Sequence, residues 1–144
     1  MHFNEAMRQL AERLGLEELR PDASGEYALF FDDTLEVRCA SMGKSLRLRG
    51  SIGKRAASSP EAEGQMKTLL RHSLARMKDH PEIVSLDAAT GEFILHRVLA
   101  LEQLRIESLE QALGDYLNRL EYWRDLFDGT ATARRGPALT LLFP

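Results

Sequence analysis

Apolar periodicity changes four times along this chain, and the order of those changes limits the fold to a small set. Phe3, Met7, Leu10 and Leu14 recur at spacings of four, three and four, one stripe of a helix. Gly15 is placed to end it. A turn-rich connection over 21–25 leads to strands predicted at 26–31, 34–40 and 45–51. In the first strand Tyr27, Leu29 and Phe31 share one face while Ala28 and Phe30 share the other, so both faces are apolar. In the second, Leu35, Val37 and Cys39 alternate with Glu36 and Arg38; in the third, Leu46 and Leu48 alternate with Arg47 and Arg49. Short turns, Asp32-Asp33 and Ser41-Met42-Gly43, join the three strands as a meander.

The helical period returns after Pro60, a residue suited to a first helical turn, and is expected to run to about residue 79, before Pro81. Its stripe is Met66, Leu69, Leu70, Leu74 and Met77, with Ser73 in the same seam. Strands over 82–87 and 92–99 form a hairpin turned at Gly91. Ser108-Leu109-Glu110-Gln111 fits a capping box, so the third helix should begin at Leu109 or a few residues earlier. Leu109, Leu113, Tyr116, Leu117, Leu120, Trp123 and Phe127 then form one stripe, and Gly129 is expected to end the helix. The pattern predicts an α+β fold in the order α-β-β-β-α-β-β-α, with a twisted, mostly antiparallel five-stranded sheet and three helices.

Composition narrows the functional classes. A chain of 144 residues is expected to make one domain and to bury enough surface to fold without disulfides or metal. The net charge of −3 argues against general binding to nucleic acid or anionic membrane. The single cysteine, Cys39, allows no internal disulfide and fits a reducing compartment. The chain has no long apolar run and its start does not read as a signal peptide, so the cytosol is the expected location.

No catalytic constellation is apparent. His2, His72, His80 and His96 lack zinc-ligand spacing, and no cofactor motif is present. Cys39 is in phase with core residues, where a thiol is inert. Asp32-Asp33 and Glu17-Glu18 read as solvated acids rather than a shared acid/base pair. Gly50-Ser51-Ile52-Gly53 lacks the ending of a phosphate loop. Lys44, Arg47, Arg49, Lys54 and Arg55 form the one basic cluster, without interleaved aromatics for stacking on bases. What stands out instead is apolar surface in excess of one core, which marks an interaction protein rather than an enzyme.

The element order resembles that of class I type III secretion chaperones, the Tir chaperone family. Residues 14–19, Leu-Gly-Leu-Glu-Glu-Leu, followed by 25–32, are similar to the family's opening; residues 86–95 resemble its hairpin, and Ser108-Leu109-Glu110-Gln111-Ala112-Leu113 through Tyr122-Trp123 its closing helix. The likeness spans about residues 3–127. It implies a chaperone-like domain over 1–128; the residues themselves predict a flexible tail with an apolar end over 129–144, which departs from the family's pattern, as does the arginine-rich third strand.

The resemblance further implies a homodimer paired through the second helix, at Met66, Leu69, Leu70, Ser73, Leu74 and Met77. It implies a cytosolic chaperone that holds the N-terminal segment of a secreted effector in extended form, with no cofactor and no nucleotide. Candidate partner contacts are Phe3, Met7 and Leu10 on the first helix and Leu29, Phe30, Arg47 and Arg49 on the sheet. The alternative within the same fold is a regulatory protein that sequesters an anti-activator and couples secretion to transcription. The apolar end, Leu139, Leu141, Leu142 and Phe143, is expected to fold back onto an empty partner patch.

Overall fold

A computed structural model describes residues 1–135. The elements run α1 (Phe3–Leu14), β1 (Tyr27–Phe31), β2 (Leu35–Met42), β3 (Ser45–Lys54), α2 (Ser59–Arg76), β4 (Ile83–Asp87), β5 (Glu92–Ala100) and α3 (Ile106–Arg135). The strands form one antiparallel sheet in the order β1-β2-β3-β5-β4, so β3 is central and β1 and β4 are edges. The fold class and element order anticipated from the periodicity are those observed.

Alternation divides the sheet into two faces. Leu29 lies opposite Val37, Cys39 opposite Leu48, and Leu46 opposite Leu99. These residues face the helices; Leu99 packs against, and the others join, one buried cluster with Phe3, Met7 and Leu10 of α1, Leu69 of α2, and Leu109, Tyr116, Leu120 and Trp123 of α3. Helix α1 ends at Gly15, whose φ of +70° turns the chain out while Leu16 N–H donates to Ala11 O at 2.9 Å. The β1–β2 turn places both Asp32 and Asp33 at positive φ, a conformation that suits a tight hairpin and that aspartate tolerates.

Helix α3 crosses β3 at very close range, and two glycines make room for it. A Cβ on Gly50 would sit 2.8 Å from a Leu120 methyl and 2.9 Å from the Tyr116 hydroxyl; one on Gly53 would sit 2.3 Å from the Phe127 ring. An irregularity between Ser51 and Gly53 brings Gly53 opposite Phe93. The Tyr116 hydroxyl donates to Leu95 O at 2.7 Å, so this buried phenol is satisfied by the strand beneath it.

Two helix ends differ from expectation. Helix α2 stops at Arg76, three residues short of the predicted end, and a turn in which Asp79 and His80 N–H both donate to Arg76 O follows. Helix α3 does not stop at Gly129 but continues to Arg135. Gly129 is outside the left-handed region that Gly15 uses, and a glycine inside a helix costs only about 1 kcal/mol relative to alanine. Residues 129–135 are therefore the last part of the helix. The apolar end at 138–143 lies outside the described residues.

Candidate functional site

Three features lie beyond the core. The first is the outer face of α2. Ser58 precedes the helix and Pro60 occupies its first turn, both favourable at a helix start. Leu69 faces in and is 3% exposed. Its neighbour Leu70 is 53% exposed, and Leu74 and Met77 are 68% and 67% exposed. Met66 is exposed and Ser73 half-buried on the same side. Four large apolar side chains along one helix face meet water in the isolated protomer. Ile83, on the adjoining edge strand β4, is also exposed.

The second feature is the face of the sheet opposite the helices. Ala28, Phe30, Arg38, Arg47, Arg49, Ile94, His96 and Val98 occupy it, as the pairing register requires. Phe30 is 64% exposed on edge strand β1, and Val98, opposite Arg47 on β5 and separated from Phe30 by β2 and β3, is exposed as well. Arg38 donates to Glu26 at 2.9 Å and to Glu36 at 3.2 Å, and its remaining nitrogen bonds Asp22. Asp22 also accepts from the Ser24 hydroxyl and from the Ser24 and Glu26 N–H groups, and these bonds hold its carboxyl below the usual range. His96 shares a hydrogen bond of 2.6 Å with the Ser85 hydroxyl. Burial, then the charges of Arg47 and Arg49, push His96 below its ordinary pKa.

The third feature is a hollow of about 210 Å³ between the end of α2, the start of β4 and the middle of α3. Glu82 lies at its base with a side chain 1% exposed, 2.9 Å from Arg119 and 3.7 Å from Arg97. Burial raises its carboxyl above the ordinary value, and the two guanidiniums oppose that shift. Arg76 stacks over the Tyr122 ring at 4.2 Å and donates to its hydroxyl at 2.7 Å, which ties the end of α2 to α3. The sequence offered no signal for this network, because its members lie on separate elements far apart in the chain.

The predicted contact residues divide by burial. Phe3, Met7, Leu10 and Leu29, expected to meet a partner, are packed inside the protomer's own core. The stripe on α1 is an inward stripe, and Phe3 meets the Tyr27 ring edge-on at 5.6 Å. Phe30, Arg47 and Arg49 do lie together on the sheet's outer face. Of the six α2 residues, Leu69 is core and the others line the outer side. Ile83 and Val98 are exposed apolar residues that belong with these surfaces and were not among the predicted contacts. Periodicity detects which residues share a face but not which face is covered.

Among the described residues no group of three or more His, Cys, Asp and Glu side chains could hold a metal ion. None of their helices is long and apolar enough to cross a membrane. The described residues thus combine an α-β-β-β-α-β-β-α fold with exposed apolar side chains on α2 and on the outer face of the sheet.

Residues 5–124 match the Tir chaperone protein (CesT) family, and the chain belongs to that family of type III secretion chaperones. Solved structures show the same fold. The structure described as the HopA1–SchA chaperone–effector complex aligns with a TM-score of 0.70 at 17% identity, covering 85% of this chain and 92% of that one. The ExsC–ExsE complex aligns with a TM-score of 0.68 at 24% identity, covering 86% and 92%. The Yersinia pestis type III secretion chaperone SycH, in complex with a stable fragment of YscM2, aligns with a TM-score of 0.63 at 19% identity, covering 83% and 97%. A search of curated protein sequences finds no match.

Proposed function

We propose that this protein is a homodimeric chaperone of the bacterial cytosol that binds the N-terminal segment of a cognate effector in extended form and keeps it soluble and competent for secretion. The observation that carries the reading is apolar surface left over after the core is complete, divided between α2 and the sheet. On α2, Met66, Leu70, Leu74 and Met77 are spaced to pair with the same stripe of a second copy about a two-fold axis. On the sheet, Phe30 and Val98 with Arg47 and Arg49 offer an amphipathic face, and edge strands β1 and β4 offer unpaired backbone groups for strand addition. The likeness to SchA and SycH, both solved in complexes, supports the reading.

Holding a client unfolded needs no bond-making chemistry. An extended segment gains edge hydrogen bonds and buries alternate side chains, and loses much of that gain to its own ordering entropy. Such binding is reversible enough to release the client at export. The likeness to ExsC in complex with ExsE supports one alternative, a regulatory protein that sequesters an anti-activator through the same surfaces.

Co-expression with the first hundred or so residues of each effector from the same secretion locus tests the proposal. A stable complex containing two copies of this chain and one effector segment is the expected product. Failure of every such segment to co-purify removes the chaperone reading. Co-purification of a transcriptional control protein instead selects the alternative.

A further inference from the structure

Strand β3 carries Arg47 and Arg49 two residues apart, so both stand on the outer face of the sheet. Arg38, beside Arg49 on β2, already has three carboxylate partners. Arg47 and Arg49 have none among the described residues, and the Nε of Arg47 is both shut off from water and without a hydrogen-bond acceptor. That buried donor is a standing cost, and an incoming acceptor would meet the guanidinium through its terminal nitrogens, which likewise pair with no carboxylate among the described residues. His96, next to Arg49 on β5, is held below its ordinary pKa by burial and then by the two arginines, and an imidazole offers them no negative charge in either protonation form.

Each arginine opens into its own hollow. Arg47 lines one of about 460 Å³ bounded by the start of α1 and residues 24–26. Arg49 lines one of about 160 Å³ with Ser51, Ile94 and Arg124. Of the acids lining these hollows, Glu26 and Glu36 are committed to Arg38, and Glu92, at the start of β5, lines the Arg49 hollow without forming an ion pair to that arginine. Val98, beside Arg47 on β5, and Phe30, toward the β1 edge, supply flanking apolar surface.

We propose that this face recognises an acidic, extended client segment, with one carboxylate on Arg47 and a second, two residues along, on Arg49. The inference rests on the chaperone reading and specifies the client's chemistry. Same-face residues on a strand lie about 6.6 Å apart, and an extended peptide repeats its own side chains at that interval. A helical segment presents its neighbours three and four residues apart and does not match the pair. Arginine favours carboxylate through paired N–H donors. A single-stranded nucleic acid would want aromatic platforms between the cations, and Phe30 alone lies at the margin of the face.

The test uses the full chain and three labelled twelve-residue synthetic peptides with identical apolar residues at alternate positions. One carries Asp-x-Asp at its centre, one Asn-x-Asn, and one two adjacent Asp residues. The wild-type protein should bind the Asp-x-Asp peptide about tenfold more tightly than either other, with the advantage shrinking as salt rises. The Arg47→Gln/Arg49→Gln protein should keep its mass and circular dichroism yet lose that advantage. Equal binding of the Asp-x-Asp and Asn-x-Asn peptides overturns the inference and leaves the chaperone reading standing. Binding of no peptide overturns it as well, and co-purification of effector segments then decides the chaperone reading separately. Equally tight, arginine-dependent binding of a twelve-residue oligothymidylate overturns it in favour of a general polyanion surface.

Discussion

Burial sets the reactivity of Cys39. The thiol lies between Tyr27 and Leu48 in the sheet register, is fully buried, and is pushed up to about 12, first by desolvation and then by the nearby Glu26 charge. A thiol reagent should therefore leave the native protein unlabelled at neutral pH and label it fully in denaturant; labelling at the rate of a free thiol in the native state contradicts this placement. Gly50 is constrained by space rather than by φ. In Gly50→Ala the new methyl meets Leu120 and the Tyr116 hydroxyl, and the overpacking should cost about 1–3 kcal/mol in urea unfolding. His96 gives the protein an acid-side sensitivity. Its folded pKa lies below the ordinary 6.5, so its contribution is complete above that value and is lost as pH falls through the folded pKa. Asp87 opposes the shift, while Arg47 and Arg49 reinforce it. His96→Gln should preserve a bond to Ser85 and flatten the fall in urea midpoint between pH 7 and pH 5 relative to wild type.

At the scale of elements, α2 and α3 each combine a covered side with an exposed one. Leu69 and Leu70 are adjacent in sequence, yet one is core and the other is surface. Leu69→Ala should cost about 2–5 kcal/mol by leaving a cavity under the helix. Leu70→Asp should leave the circular dichroism unchanged and convert a dimer to a monomer by light scattering, because the charge would be buried only on pairing. A dimeric mass for that variant would place the pairing surface elsewhere. In α3, Gly114 and Gly129 are exposed and an added Cβ at either touches nothing. The helix accepts both because its stripe from Leu109 to Phe127 is anchored on the sheet, and tertiary packing outweighs a weak local preference.

The whole molecule is a sheet with helices on one face, and its legibility from sequence follows that asymmetry. Strands β2 and β3 could be read because polar and apolar residues alternate cleanly, as in Leu35-Glu36-Val37-Arg38 and Leu46-Arg47-Leu48-Arg49. Strand β1 was harder, because Phe30 and Leu29 are equally apolar and only the position of the helices makes one surface and the other core. The same ambiguity applies to Phe3, Met7 and Leu10, expected at a partner surface and packed here in the chain's own core. The ionic group of Glu82, Arg97 and Arg119 was invisible, since nothing local marks residues brought together from the segment before β4, from β5 and from α3. A chain of 16.3 kDa that pairs through α2 should scatter light as about twice that mass.

By itself the sequence determined the family, the succession of helices and strands, and the two sides of each amphipathic element. It could do so because side-chain period is a local property of backbone geometry, 3.6 residues in a helix and two in a strand. Only the tertiary structure decided which apolar side is covered within the protomer, where α3 presses on Gly50 and Gly53, and which guanidiniums are matched by carboxylates. Those outcomes depend on distances between residues remote in the chain, which periodicity cannot encode.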